Sequence, residues 1–177
     1  MDIKNKTILI TGTDEFIGSR AAELAISQGM KVKGLQTSQV QDKNLQNLGV
    51  EIIVGSITDD KIAQKACQGV DIILHTAQLA EEAGDIKRFQ EINVGGTVNI
   101  AKAAKQAGVK TFVHLSTVLV YGFNYSDNIA EIGTLSSDNN PYCQTKIEAE
   151  TEVLKLNSSP DFGVIIIRAG DAYGPGS

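Results

Sequence analysis

Tyr142 and Lys146 stand four residues apart in "YCQTK", the spacing that places two side chains on one face of a helix. An ammonium beside a phenol favours the phenolate and lowers its pKa from the usual value of roughly 10, which would make Tyr142 a proton donor and acceptor near neutrality. The same pair on a solvated helix face does no chemistry. Upstream, "HLSTVLVYG" puts Ser116 and Thr117 at the end of an apolar run, where a hydroxyl can bond a substrate oxygen or simply satisfy the turn that follows. A third group of residues lies near the N-terminus. In "ILITGTDEFIGS", Gly12 and Gly18 fill the first and third places of a glycine turn that receives a dinucleotide pyrophosphate, and Glu15 occupies the middle one. A carboxylate there adds bulk and like charge beside a diphosphate. Two alternatives stay open: the side chain turns to solvent and only its N–H faces the ligand, or it blocks the site.

These residues need a frame that brings them together. Apolar β-branched runs ("KTILIT", "KVKGLQ", "GVEIIVG", "GVDIILHTA", "KTFVHLST", "FGVIIIRAG") alternate with helical patterns at about Phe16 to Gln28, Asp85 to Ala107 and Tyr142 to Leu156. The runs are continuous, not alternating, as burial on both faces of a parallel sheet requires. An α/β fold with a doubly wound parallel sheet follows, in which the carboxyl ends of the strands line the ligand crevice. "AISQGMKV" and "AKQAGVKT" each close a helix with glycine shortly before a strand begins. The polar stretch Gly122 to Asn140 reads as a loop over the site or as a surface excursion.

The 177 residues suit one domain, and a net charge of −5 with 21% charged residues offers no basic surface for nucleic acid. No apolar run approaches the roughly 20 residues of a membrane span, and "MDIKNKT" is too polar for a signal peptide, so a cytoplasmic location is expected. Cys67 and Cys143 lack metal-type spacing, so neither a disulfide framework nor a metal site is expected. His75 and His114 read as packed fold residues.

Seven pieces in order, "TGTDEFIG", "GSITD", "VDIILHTA", "NVGGT", "HLSTVLVYG", "PYCQTK" and "IIIRAGDAYGPG", make the chain similar to the extended short-chain dehydrogenase/reductase family of NAD(P)-dependent epimerases, dehydratases and 3β-hydroxysteroid-dehydrogenase-like enzymes. The resemblance implies a Rossmann domain over 1–177, a small-molecule substrate with a hydroxyl or keto carbon, and a homodimer through two long helices. It implies Tyr142 as catalytic acid/base, Lys146 as its pKa modifier and ribose ligand, Thr117 as the group orienting the substrate oxygen, and Asn93 as a support. For the cofactor it implies Gly12, Thr13, Glu15, Phe16, Ile17 and Gly18 around the pyrophosphate, with Gln36 ending the second strand. Ser56 and Ile57 would lie near adenine, Thr76 and Ala77 along the cofactor, and Arg168, Ala169 and Gly170 near the nicotinamide. Glu15, Ser56 and Ala169 depart from the family's usual Gly, Asp and Pro. Gln36, Thr37 and Ser38 provide neither the acid that grips a 2′-hydroxyl nor the arginine that pairs with a 2′-phosphate, which leaves NAD or NADP open. The family's further substrate-binding part, after the "YGPG" turn, is expected to be absent from this chain.

Overall fold

The computed structural model describes residues 3–39, 43–81, 84–124 and 128–174. Six parallel strands form one sheet: β1 (Thr7–Thr11), β2 (Lys31–Gln36), β3 (Glu51–Val54), β4 (Ile72–His75), β5 (Thr111–Thr117) and β6 (Gly163–Ala169). Their order is β3-β2-β1-β4-β5-β6. The chain winds outward from β1 to β3, then crosses to the other side of β1 for β4. That reversal opens a crevice at the carboxyl ends of β1 and β4, the topological switch point where this class of sheet binds ligands.

Side-chain alternation on β1 divides the apolar interior in two. Leu9 joins Ile73, Phe112 and Ile100 on one face, beneath helices α3 (Asp60–Cys67), α5 (Thr97–Gln106) and α6 (Pro141–Leu154). Ile8 and Ile10 pack on the other face with Ala22 and Ala25 of α1 (Phe16–Ser27). A short helix, α2 (Lys43–Asn47), adds Leu45 to that second core.

The expected strands and the helices α1 and α6 are present close to their expected bounds. Three features differ. Helices α2 and α3 form where no helix was expected, and Asp59 caps α3, accepting hydrogen bonds from the N–H groups of Lys61 and Ile62 at 2.8 and 3.2 Å. The stretch from Asp85 to Ala107 is not one regular helix, because α4 (Ile86–Phe89) widens into a π-helical segment over Gln90–Gly96 before α5 resumes. Finally, β6 is not buried on both faces. It is the edge strand, packed chiefly by β5 and α6, and Ile165 and Ile167 are about half exposed.

No helix among the described residues is long and apolar enough to cross a membrane, and none of their His, Cys, Asp and Glu side chains group as a metal site.

Candidate active site

The glycine turn is built by backbone necessity. Gly12 takes a positive φ of 77°, and a Cβ there would lie 3.0 Å from the backbone of Ala77, after β4. Gly18, in the first turns of α1, sits against the Gly12 carbonyl and within 3.0 Å of the Thr76 hydroxyl for an added Cβ. The two glycines therefore let α1 close onto β1 and β4, with its first N–H groups at the crevice.

A cleft of about 250 Å³ runs from this turn, with Gly12, Glu15, Gln36, Ser56, Ile57 and Ala77 among its walls. Thr13 and Thr76 lie beneath it: the Thr13 hydroxyl donates to Gln36 Oε1 at 3.3 Å and that of Thr76 to the Thr11 carbonyl at 2.5 Å. Phe16 and Ile17 are half-buried at the start of α1. Glu15 lies at the edge of the cleft. Its N–H donates to the Gly12 carbonyl at 3.0 Å, and its side chain borders the cleft without capping α1. The residue is exposed by area, yet enough protein surrounds the carboxyl group for burial to push its pKa up to about 7; Asp14 adds to the rise and Lys146 opposes it.

Asn140 caps α6 by accepting from the Cys143 N–H at 3.0 Å, and Pro141 opens the helix, which puts Tyr142 in its first turn. The Tyr142 hydroxyl donates to Gln78 Oε1 at 3.1 Å, and Lys146 Nζ donates to the same oxygen at 3.0 Å and to the Leu115 carbonyl at 2.6 Å. Burial pushes the Lys146 pKa down to about 8 against the pull of Glu150 and Glu15. The phenol does not show the expected lowering. Burial, with the Cys143 thiol, pushes Tyr142 up to about 12 despite the opposing effects of Gln78 and Thr117.

Thr117, at the end of β5, accepts from the Leu119 N–H at 3.2 Å and is the strand partner of Ala169. With Tyr142, Leu119, Phe123 and Asn140 it lines a second cavity of about 310 Å³. The Tyr142–Gln78 hydrogen bond thus joins a wall of this cavity to a wall of the first cleft.

Asn93 lies in the π-helical segment, a deviation often found at functional sites. Its amide clamps Leu79 at both backbone groups, accepting from the N–H at 2.7 Å and donating to the carbonyl at 3.0 Å, and it donates to Thr145 Oγ1 at 3.2 Å. Asn93 thereby fixes the segment that carries Gln78. Arg168 donates to both carboxylate oxygens of Glu150, at 3.1 and 3.2 Å from Nε and 2.6 Å from Nη2, and to the Tyr121 hydroxyl at 2.5 Å. Gly170 is exposed just beyond β6. Gln78 was not singled out in the sequence; the only signal was its place three residues after the end of β4.

A doubly wound parallel sheet with a glycine turn at its switch point and a Tyr–Lys pair beside it defines a dinucleotide-binding protein of the short-chain dehydrogenase/reductase type. The chain belongs to the NAD dependent epimerase/dehydratase family, whose profile matches residues 8–177. It is 30% identical to a UDP-glucose 4-epimerase of Vibrio cholerae, over 97% of this chain and 53% of that protein. It is 29% identical to a 3 beta-hydroxysteroid dehydrogenase/Delta 5-->4-isomerase of Mycobacterium tuberculosis, over 96% of this chain and 48% of that protein. Among solved structures it resembles a short-chain dehydrogenase/reductase superfamily protein from Agrobacterium tumefaciens with bound NAD, at 32% identity and a TM-score of 0.78, covering 92% of this chain and 48% of the other. The chain spans about half the length of the curated relatives it matches.

Proposed function

We propose that this chain carries the NAD site and the proton-transfer residues of a cytoplasmic oxidoreductase or epimerase that acts on a secondary alcohol or ketone of a small substrate, a sugar nucleotide foremost. The observation that carries this reading is the shared hydrogen bonding of Tyr142 and Lys146 at Gln78, where the glycine-walled cleft meets the cavity holding Thr117. The glycine cradle fits a dinucleotide in its first and third positions, and the cleft reaches Ser56 and Ile57 on the side proposed for adenine.

When bound, NAD supplies the hydride acceptor. The chain's own residues handle the proton and the geometry. Thr117 orients the substrate oxygen from the second cavity, and the Tyr142 oxygen takes the hydroxyl proton as the C–H hydride leaves. In the reverse direction Tyr142 returns the proton to the carbonyl oxygen. For this to run near neutrality the phenol must come down from about 12, and Lys146 is the cation held within one helical turn of it. The choice of a hydroxyl- or keto-bearing substrate is supported by the relatives' names, a UDP-glucose 4-epimerase and a 3 beta-hydroxysteroid dehydrogenase/Delta 5-->4-isomerase. We extend the reading to a homodimer formed through α5 and α6, which lie side by side on one face of the sheet.

The experiment is turnover of a UDP-hexose by the protein with Tyr142→Phe. Loss of activity by at least about a hundredfold with NAD affinity retained supports the assignment; undiminished turnover overturns it. Glu15 on the cleft wall favours one rival, a protein that keeps the fold as a scaffold without turnover. That rival requires NAD to be refused by the wild type and accepted after Glu15→Gly.

A further inference from the structure

At the end of β2 the chain has no acid, and the side chain standing there is already occupied. Gln36 is buried, with Nε2 donating to the Ser38 carbonyl at 2.8 Å and Oε1 accepting from the Thr13 hydroxyl at 3.3 Å. A carboxylate nevertheless reaches this spot, delivered from the glycine turn. Asp14 Oδ2 accepts from the N–H groups of Thr37 and Ser38 at 3.1 and 2.9 Å, and from the Thr37 hydroxyl at 3.3 Å. Asp14 and Thr37 both border the cleft, and no hydrogen bond from a described residue engages Asp14 Oδ1.

We propose that Asp14 is the specificity residue of the cofactor site, replacing the missing acid at the end of β2 and selecting the 2′-hydroxyl of NAD against the 2′-phosphate of NADP. This rests on the dinucleotide reading of the cleft. Three donors fix one carboxylate oxygen, so the other is held in place to accept from a ribose hydroxyl at little cost in side-chain order. A 2′-phosphate at the same point brings like charge against a carboxylate, the repulsive element that discrimination requires. Arg88 is the cation on the cleft wall, and it is ion-paired with Glu81 at 3.3 Å. The cradle of backbone N–H groups at Thr37 and Ser38, filled by Asp14, is closed to a second anion.

The test is calorimetric titration of the whole chain with NAD+ and with NADP+, for the wild type and Asp14→Asn, with thermal melts to establish that the variant is folded. Asp14→Ser, which removes the charge and shortens the side chain, gives the same ratio by a second route. The wild type is expected to bind NAD+ at least about tenfold more tightly than NADP+, and both variants to bring the two within about threefold. Equal binding of both cofactors by the wild type, or an undiminished preference in both variants, overturns the role of Asp14 while leaving the site a dinucleotide site. Failure of the wild type to bind either cofactor overturns the dinucleotide reading itself, and the role of Asp14 with it.

Discussion

Tyr142 and Lys146, one turn apart on α6, meet through a third residue: both donate to the single oxygen Gln78 Oε1, at 3.1 and 3.0 Å. The phenol is held as a donor, in its protonated form, and the ammonium is divided between Gln78 and the Leu115 carbonyl. Gln78 belongs to the segment after β4 and Asn93 clamps the next residue in place, so the pair depends on a contact across 68 residues of sequence.

Removing that shared acceptor should alter the pair without deleting either member. Gln78→Ala is expected to lower kcat by about tenfold and to shift the basic limb of the pH–rate profile, with Lys146 free to act directly on the phenol. An unchanged profile, measured beside a Tyr142→Phe control, would show that Gln78 only fills space.

Glu15 makes cofactor affinity depend on pH. Its pKa is raised to about 7, so the carboxyl group is neutral below that value and ionised above it. A diphosphate beside it is repelled only by the ionised form. The dissociation constant for NAD+ should therefore rise between pH 6 and pH 8, by about tenfold, and Glu15→Gln should flatten that rise. Titrations at the two pH values, in both proteins, decide it.

The Arg168–Glu150 pair, at 2.6 Å with Glu150 only 3% exposed, ties β6 to α6. Breaking it from one side leaves a buried charge unpaired. Arg168→Met should cost about 3 kcal/mol in denaturant unfolding, and the double variant Arg168→Met with Glu150→Leu should recover part of that loss.

Two buried histidines set the acid limit of the fold. His75 donates from Nε2 to Thr97 Oγ1, since that hydroxyl spends its own proton on the Asn93 carbonyl, and its Nδ1 accepts from Thr11. His114 stacks on it at 5.6 Å with both ring nitrogens unpartnered. Burial pushes His75 down to about 3 and His114 well below 6.5. The unfolded chain takes up protons from about pH 6.5 downward and the folded chain refuses them, so stability is lost as pH falls through that window. Melting temperatures should drop from pH 7 to pH 4. His114→Phe, which keeps a ring in the stack, should flatten that drop and add about 1 kcal/mol at pH 7 by removing the unpaired polar atoms.

The strands were legible because burial on both faces writes itself as unbroken apolar runs, and β6 misled because the same letters, "VIII", serve an edge strand. Helices α1 and α6 were legible from their helical patterns, and α1 also from the glycine that closes it. The Asp59 cap of α3 stood in the sequence as "TDDK" but precedes too short a run to display a period. At the site, spacing alone paired Tyr142 with Lys146, since one helix carries both. It gave a lowered phenol pKa where burial raises it, because spacing reveals the neighbouring cation and not the burial around the hydroxyl. Gln78 and Asp14 were illegible for a related reason: each acts on a segment distant in sequence, and only the closing of the sheet brings them there.

The central claim is that the cleft between the glycine turn and Gln78 holds a nicotinamide dinucleotide. Titration of NAD+ into the wild-type chain at pH 6, with Ser56→Trp as the blocked counterpart, tests it most directly. Saturable one-to-one binding that the tryptophan abolishes is the predicted result, whereas no binding by the wild type, or equal binding by a folded Ser56→Trp protein, would contradict the claim.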